Sequence, residues 1–304
     1  MGVIDDVAQV SRGWRWLRRS LVPRSAQPHT PTPERRDFPT GWARTPAARV
    51  VRQAVLRGGI KPLAWTETSP RVRGRDHLDG LAGPVVFAAN HASHLDTPLI
   101  LGSLPRGWAD RVAVGAAADY FFDARWRAVS TALAFNTFPV DRHGGRRVTG
   151  LTRQLLGQGW SLLLFPEGSR SPDGWLQGFR GGLGRLCVDH GLPAVPIAVR
   201  GSFGAMPRGR GWPRPGRAAV SVRYGPPLSP EPGETGASFT QRLRTAMTRV
   251  WHEDATSWWD SLRADAEGTL PEPTGPPAPR WRRVWEATRP PRAHAPAPAW
   301  RRRR

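Results

Sequence analysis

The sequence contains very little of several residue types that would define a structural class. Cys187 is the single cysteine among 304 residues, which excludes an intrachain disulfide and favours a cytoplasmic protein. No stretch approaches the roughly 18 consecutive apolar residues that a membrane-spanning helix needs. The N-terminal region also lacks the apolar segment of a secretory signal. Lysine is nearly absent as well, since Lys61 is the only one.

Arginine supplies nearly all of the positive charge, and the formal net charge is +21. This excess predicts anionic partners: a phospholipid surface, a phosphorylated substrate, an acidic carrier protein or nucleic acid. Proline and arginine are concentrated at the two ends, so residues 1–46 and 255–304 are predicted to be basic tails, the second mostly disordered. Trp281, Trp285 and Trp300 lie among the C-terminal arginines, a composition that resembles a membrane-interface segment.

Residues 47–254 are predicted to form one folded domain, with a motif-bearing core at 66–228. Strand patterns alternate there with helical patterns, which is typical of an α/β domain with a mixed, mainly parallel sheet flanked by helices. The last strand pattern suits a sheet edge. A helix predicted at 47–65 carries an apolar stripe that we expect to pack on the core. The predicted strands are 84–89, 111–115, 135–142, 161–165, 194–199 and 218–224, and the stripe consists of Val50, Val51, Ala54 and Val55, with Leu56 as a further candidate.

A histidine and an aspartate lie at the turn between the first strand and the helix that follows it. The segment 90–96 reads NHASHLD, so His91 and Asp96 are five residues apart. Open α/β sheets bind ligands at this end of their strands, and a tight turn can fold the carboxylate back onto the imidazole. The carboxylate would hold one tautomer and stabilise the cation formed when the ring takes a proton. The spacing alone is a weak signal because ordinary polar loops share it.

A carboxylate and an arginine follow another strand, 161–165. Arg170 suits bidentate binding of phosphate, and Gly168 permits close approach of the backbone. We expect Glu167 either to fix Arg170 or to accept a hydroxyl of the substrate. The strand at 135–142 ends in Asp141-Arg142, and Arg142 is a further candidate for phosphate binding, with a structural ion pair between these two residues as the alternative.

Four segments together resemble one family in order and spacing, the glycerolipid acyltransferases, and in particular the 1-acylglycerol-3-phosphate acyltransferases. The His-x4-Asp block of that family matches 90–96, and its Phe-Pro-Glu-Gly-Thr-Arg-Ser block matches 165–171. A strand ending in Asp-Arg matches 138–142, and an apolar block with a proline matches 195–199. The chain departs from the family at Ser169 (usually Thr), at Pro139-Val140 (more often aliphatic) and at Arg180 (often Lys), and N-terminal membrane helices are not evident.

The resemblance implies a single acyltransferase domain that moves a fatty acyl chain to the free hydroxyl of 1-acylglycerol-3-phosphate, giving phosphatidic acid. Acyl-CoA or acyl carrier protein would be the co-substrate, with no metal or other cofactor. The protein would act peripherally on an anionic membrane, at its cytoplasmic face. The implied catalytic residues are His91 as general base and Asp96, the substrate-binding residues are Glu167, Gly168, Ser169, Arg170 and Arg142, and the supporting residues are Asn90, Ser93 and Pro196.

Two alternatives remain open from the sequence. The same chemistry could use another acceptor, such as glycerol 3-phosphate, a lyso-ornithine lipid or a glycolipid. A non-catalytic, basic nucleic-acid-binding protein is less favoured because no nucleic-acid fold signature is present.

There is no Gly-x-Ser-x-Gly elbow, and Cys187 lies in an apolar helical pattern, so direct attack without an acyl-enzyme is expected. We expect His94 to be a surface residue.

Overall fold

A seven-stranded sheet forms the centre of the fold in the computed structural model, which describes residues 39–117, 125–140 and 146–291. The strand order is β1-β7-β6-β2-β5-β3-β4. Neighbouring strands are parallel except for β6 and β7, which are antiparallel. The predicted mixed, mainly parallel sheet is confirmed. The strands are β1 (Thr68–Arg73), β2 (Val86–Ala89), β3 (Val112–Ala117), β4 (Thr137–Val140), β5 (Ser161–Leu164), β6 (Ala194–Arg200) and β7 (Ala218–Tyr224).

Helices cover both faces of this sheet, and a π-helical turn, Leu56–Ile60, joins the first two. The described residues all lie within the compact unit Arg35–Arg304. None of the helices between residues 39 and 291, outside the gaps at 118–124 and 141–145, has both the length and the apolar character needed to cross a membrane. The helices are α1 (Pro46–Val55), α2 (Lys61–Glu67), α3 (Asp96–Ser103), α4 (Arg106–Ala109), α5 (Arg125–Phe135), α6 (Arg146–Gly157), α7 (Gly182–His190), α8 (Ser202–Ala205), α9 (Gly236–Ala255), α10 (Trp258–Ala266) and α11 (Arg280–Ala287).

Strand β2 shows how the sheet is buried between two helical layers. Its four residues are fully buried, as expected for a parallel strand covered on both faces. Phe87 and Ala89 join an apolar cluster with Leu99 of α3. Val86 and Ala88 point to the other face and join a cluster with residues of α6, α7 and α9. The core is therefore split into two layers by the sheet.

The register of β2 and β5 determines where the two motif loops emerge. Ala88 of β2 pairs with Leu164 of β5, and the strands are parallel. Both strands therefore end at the same edge of the sheet, one or two residues before their motifs begin. The loop at 90–96 and the loop at 165–171 leave the sheet side by side, as ligand-binding loops of open α/β sheets do.

The last strand does not lie at the edge, where its alternating pattern predicted it. Strand β7 lies between β1 and β6, and β1 takes the edge position. The polar residues of β7 are satisfied in the interior by α9: Ser221 Oγ donates to Asp254, and Arg223 donates to Glu253 Oε1 at 2.6 Å. Strand β1 was not predicted because its sequence is polar and contains Pro70, a residue that is tolerated at sheet edges.

The apolar stripe of α1 faces solvent, so the expectation that it packs on the core is wrong. Val50, Val51 and Val55 are 71%, 46% and 39% exposed. The buried side of the helix runs instead through Ala48 and Arg52. Arg52 is tolerated there because its guanidinium donates to a backbone carbonyl, that of Ala43, at 2.7 Å.

The ordered chain extends beyond residue 254, where a mostly disordered tail was expected. Helices α10 and α11 follow, and the segment around α11 is tied to the domain by polar contacts. Arg283 forms an ion pair with Asp173 at 2.7 Å, and the Leu176 N–H donates to Pro273 O at 3.1 Å. The composition predicted disorder because this segment cannot build a core alone, but the domain supplies its partners. Residues 1–38 and 292–304 of the predicted tails lie outside the described residues.

Candidate active site

The loop after β2 brings His91 and Asp96 into contact. The His91 Nδ1 atom lies 2.9 Å from Asp96 Oδ2, and the Asp96 side chain is fully buried. The same carboxylate oxygen accepts the N–H groups of Ala92 at 2.7 Å and Ser93 at 2.8 Å. Asp96 is also the first residue of α3, where the positive end of the helix dipole favours a carboxylate. The loop therefore closes around one buried negative charge.

These contacts assign the proton on the imidazole of His91. A carboxylate oxygen that already receives two N–H groups acts as an acceptor, so Nδ1 carries the proton and Nε2 keeps its lone pair. The ring also stacks on Phe165, with centroids 4.0 Å apart and an interplanar angle of 22°. The His91 side chain is 17% exposed. Its orientation is thus fixed from two sides, and Nε2 can accept a proton from a bound molecule.

The predicted supporting residues hold this loop on the sheet. Asn90 Nδ2 donates to Val199 O at 2.9 Å, and Asn90 Oδ1 accepts from Val199 N at 2.7 Å, which links the end of β2 to β6. Ser93 Oγ donates to Met206 O at 2.7 Å, beyond the end of β6. Pro196 lies inside β6, buried, and belongs to the sheet rather than to the loops.

Glu167 links the two motif loops. Its Oε1 accepts from the His91 N–H at 2.7 Å, and its Oε2 accepts from the Gln177 N–H at 3.1 Å. The residue is only 5% exposed, and this burial raises the pKa of its carboxyl to about 8, although the two backbone N–H groups act in the opposite direction. Glu167 therefore braces the backbone of His91, a role that the sequence did not suggest.

Gly168 makes room for the side chain of Arg180, a second arginine at this turn. Its φ of +72° lies in the left-handed region, and a Cβ at this position would lie 2.5 Å from Arg180 Nε. The Arg180 N–H donates to Pro166 O at 2.8 Å, so Arg180 is anchored to the same turn. Ser169 is exposed at the tip of the turn. Only glycine satisfies both the backbone angle and the packing of Arg180.

His94 lies between the two loops and not on the open surface, where we expected it. It is half-buried, and burial lowers its pKa to about 4, with further lowering by the positive charge of Arg170. His94 is therefore neutral at pH 7. The predicted phosphate-binding arginine thus acts electrostatically on a residue of the loop that carries His91.

Two further residues of the second loop support the site and were not assigned a role from the sequence. The Ser171 N–H donates to His91 O at 2.7 Å, so the His91 backbone is held by hydrogen bonds from both Glu167 and Ser171. Ser171 Oγ in turn donates to buried Asp173 at 3.1 Å. The Ser-Pro-Asp-Gly sequence at 171–174 is a turn signal, and it was the only indication available.

Cys187 and Arg142 are the two remaining candidate residues. Cys187 is fully buried in α7, and burial raises the pKa of its thiol to about 12, so it cannot supply a thiolate nucleophile at neutral pH. This supports direct attack without an acyl-enzyme. Arg142 and Asp141 lie outside the described residues, so the role of Arg142 in phosphate binding stays a prediction.

The sheet, the histidine–aspartate pair and the arginine-bearing loop define an α/β acyltransferase domain. The model of the Acyltransferase family matches residues 69–200, which contain both loops. The match covers less than half of the chain, and it confirms the resemblance drawn from the motif residues.

The relatives of this chain within the family carry a more specific name. It is 32% identical over 152 residues to a 1-acyl-sn-glycerol-3-phosphate acyltransferase of Chlamydomonas reinhardtii, covering 49% of this chain and 44% of that one. It is 27% identical over 177 residues to the 1-acyl-sn-glycerol-3-phosphate acyltransferase of Limnanthes douglasii, covering 57% and 58%. The chain thus spans about half the length of the curated relatives it matches.

A solved structure shares the fold. The crystal structure of the 1-acyl-sn-glycerophosphate (LPA) acyltransferase PlsC of Thermotoga maritima aligns with a TM-score of 0.52 and 24% sequence identity. The alignment covers 66% of this chain and 81% of that one. At this identity the likeness establishes the fold alone.

Proposed function

We propose that this protein transfers a fatty acyl chain from acyl-CoA or acyl carrier protein to the free hydroxyl of 1-acylglycerol-3-phosphate, giving phosphatidic acid. The observation that carries the proposal is the His91–Asp96 contact of 2.9 Å at the end of β2, in a domain whose sequence relatives bear that enzyme name. A buried carboxylate behind an imidazole is the arrangement of a general base.

The reaction proceeds by direct attack. His91 Nε2 takes the proton of the acceptor hydroxyl as its oxygen attacks the thioester carbonyl, and Asp96 stabilises the resulting imidazolium. The tetrahedral intermediate collapses by breaking the C–S bond. His91 then returns the proton to the leaving thiolate, so the products are the ester and the free thiol of the carrier. No metal or other cofactor takes part in these steps.

The phosphate of the acceptor binds at the arginine-bearing turn. The Arg180 side chain packs against Gly168, and Arg170 belongs to the same turn, so both guanidinium groups are candidates for a phosphate dianion. Arg142 is a third candidate for the same phosphate. His94 is uncharged at neutral pH, so it adds no positive charge to this site.

The protein works at a membrane surface because the acceptor is a lipid. Its +21 net charge favours peripheral binding to anionic phospholipid, and the same charge would attract an acidic carrier protein. We place it at the cytoplasmic face of the membrane, where acyl-CoA and acyl carrier protein are available.

Acyl transfer by the purified, full-length protein tests the proposal. The assay supplies labelled oleoyl-CoA, or the same acyl chain on acyl carrier protein, with lysophosphatidate, glycerol 3-phosphate or an uncharged lysolipid. We expect product on lysophosphatidate, its loss by about 10³-fold in His91→Ala, and normal activity in His190→Ala, a histidine of α7 outside both loops. Product on another acceptor alone would overturn the proposed substrate. Absence of product with both donors and every acceptor would overturn the proposed activity.

A further inference from the structure

Helix α11 presents an aromatic and basic face to solvent. Trp281 and Trp285 are 71% and 54% exposed, and their spacing of four residues places them on the same side of the helix. Arg280, Arg282 and Arg289 are exposed around them, and the Arg289 guanidinium lies 4.0 Å from the centroid of the Trp285 ring. Two large indole rings in water are costly for a surface that contacts nothing.

The opposite side of α11 is held rigidly by the domain. The Arg283 guanidinium contacts Asp173 at 2.7 Å and donates to the carbonyls of Thr274 at 2.8 Å and Pro276 at 3.0 Å. Trp175 Nε1 donates to Arg283 O at 3.0 Å. The guanidinium is satisfied from three directions, so α11 cannot turn its tryptophans inward.

Helix α11 lies near the end of the sheet at which the two motif loops leave strands β2 and β5. Its anchor, Asp173, accepts the hydroxyl of Ser171, whose N–H donates to His91 O. A Cβ at Gly174 would lie 2.7 Å from the Phe203 ring and 2.8 Å from Ala287 of α11, so the helix is packed directly on the turn that follows the second loop. Three hydrogen-bonded steps therefore connect α11 to the backbone of the base.

We propose that α11 is the surface by which the protein docks on an anionic phospholipid bilayer. Indole rings lie at the level of lipid headgroups, and exposed arginines bind lipid phosphate. The inference rests on the proposed function, because an acceptor held in a bilayer must enter at the edge where α11 lies. The exposed face keeps a net positive charge that complements negative lipid, since Glu286 pairs with Arg282 at 3.2 Å and Arg280 and Arg289 are exposed in addition.

A bilayer fits this face better than nucleic acid does. Basic residues alone would serve binding to a phosphate backbone, but the paired indoles at one side of a helix need an apolar layer that they can enter.

Vesicle co-sedimentation of the full-length protein tests the docking surface without reference to catalysis. The vesicles are phosphatidylcholine alone or mixed with phosphatidylglycerol. Trp281→Ala/Trp285→Ala removes the proposed contact, and Trp212→Ala/Trp259→Ala is the matched control, because those tryptophans are 52% and 69% exposed elsewhere. Thermal unfolding of both variants checks that they are folded.

We expect binding to the anionic vesicles to fall about tenfold in the α11 variant and by less than about twofold in the control. Equal losses in both variants, or none in the α11 variant, would overturn the assignment to α11. Binding of duplex DNA that depends on Trp281 and Trp285, with no vesicle binding, would replace the bilayer with nucleic acid. Failure of acyl transfer with Trp-dependent vesicle binding intact would remove the proposed activity and leave the docking surface standing.

Discussion

The two loops of the site differ in what holds them and in what they offer to a substrate. We name residues 90–96 the base loop and residues 165–171 the arginine loop. The base loop closes on buried Asp96, and its imidazole is fixed by that carboxylate and by the Phe165 ring. The arginine loop exposes Ser169 and leaves Arg170 half-buried. On the proposed function, we expect exact geometry to matter most in the base loop and charge to matter most in the arginine loop.

The two loops are not independent, because the arginine loop also supports the base loop. Glu167 accepts the N–H of His91, and the Ser171 N–H donates to the carbonyl of His91. Changes in the base loop should therefore alter the rate of chemistry alone. Changes in the arginine loop should separate into those that affect binding and those that affect the support of His91.

Asp96→Asn should have the largest effect among these changes. The N–H groups of Ala92 and Ser93 require an oxygen at this place, so the amide oxygen of the variant keeps the contact with His91 Nδ1, but the negative charge that stabilises the imidazolium is lost. We expect kcat to fall about 100-fold or more with little change in either KM. Asp189→Asn is the control, since Asp189 forms an exposed ion pair with Arg185. A variant that keeps normal kcat would show that the charge of Asp96 does not assist proton transfer to His91.

Arg170→Ala should act on binding. Loss of a charge-assisted contact to phosphate should raise the KM for the lysophospholipid about 30-fold, with the donor KM unchanged. Arg185→Ala, an exposed arginine on α7, controls for the loss of charge. Steady-state kinetics with each substrate varied in turn separate the two constants. Equal increases in both would assign Arg170 to the donor or to structure.

Gly168→Ala should have a smaller effect on the same constant. The added methyl group collides with Arg180 and is strained by the positive φ, so Arg180 must move from the turn. We expect the acceptor KM to rise about tenfold. Gly178→Ala is the matched control, because nothing lies within 4 Å of a Cβ there and its φ is ordinary. If both variants behave alike, Arg180 does not contribute to acceptor binding.

Glu167→Gln should act on stability and not on the kinetic constants, so it ranks last among the effects on activity. The pKa of Glu167 is raised to about 8 in the folded protein, so the folded state holds a proton that the unfolded state has released. Its contribution is present below the unfolded pKa of about 4.5 and is lost as the pH rises through about 8. We therefore expect the free energy of unfolding of the wild type to fall relative to the variant between these values. Urea unfolding across that range measures it, and parallel curves would contradict the assignment.

Local sequence predicted the parts of the site that depend on near neighbours. The apolar strands before each loop and the five-residue spacing of His91 and Asp96 were sufficient to predict the contact between these two side chains. The role of Glu167 could not be predicted, because its partner His91 is 76 residues away. The same holds for Arg283 and Asp173, which are 110 residues apart and order a segment whose composition indicates disorder.

Local sequence patterns also could not predict which strands lie at the edges of the sheet. Strand β7 has the alternation of an edge strand, yet Asp254 and Glu253 of α9 satisfy its polar residues inside the fold. Val50 and Val51 depart from the prediction in the opposite sense, because they were expected to face the core and are exposed. Their spacing indicates a core-facing stripe, but the placement of Arg52 against Ala43 O turns the helix the other way.

The two hydrogen bonds to the peptide groups of His91 limit how loops can be exchanged between this protein and its relatives. A chimera that receives only the base loop of a relative would place its histidine against a Glu167 and a Ser171 selected for another backbone. The base loop and the arginine loop should therefore be transplanted as one cassette, together with the Asp173 turn. Within that cassette, the exposed Ser169 is the position at which we expect substitutions to disturb the backbone of His91 least.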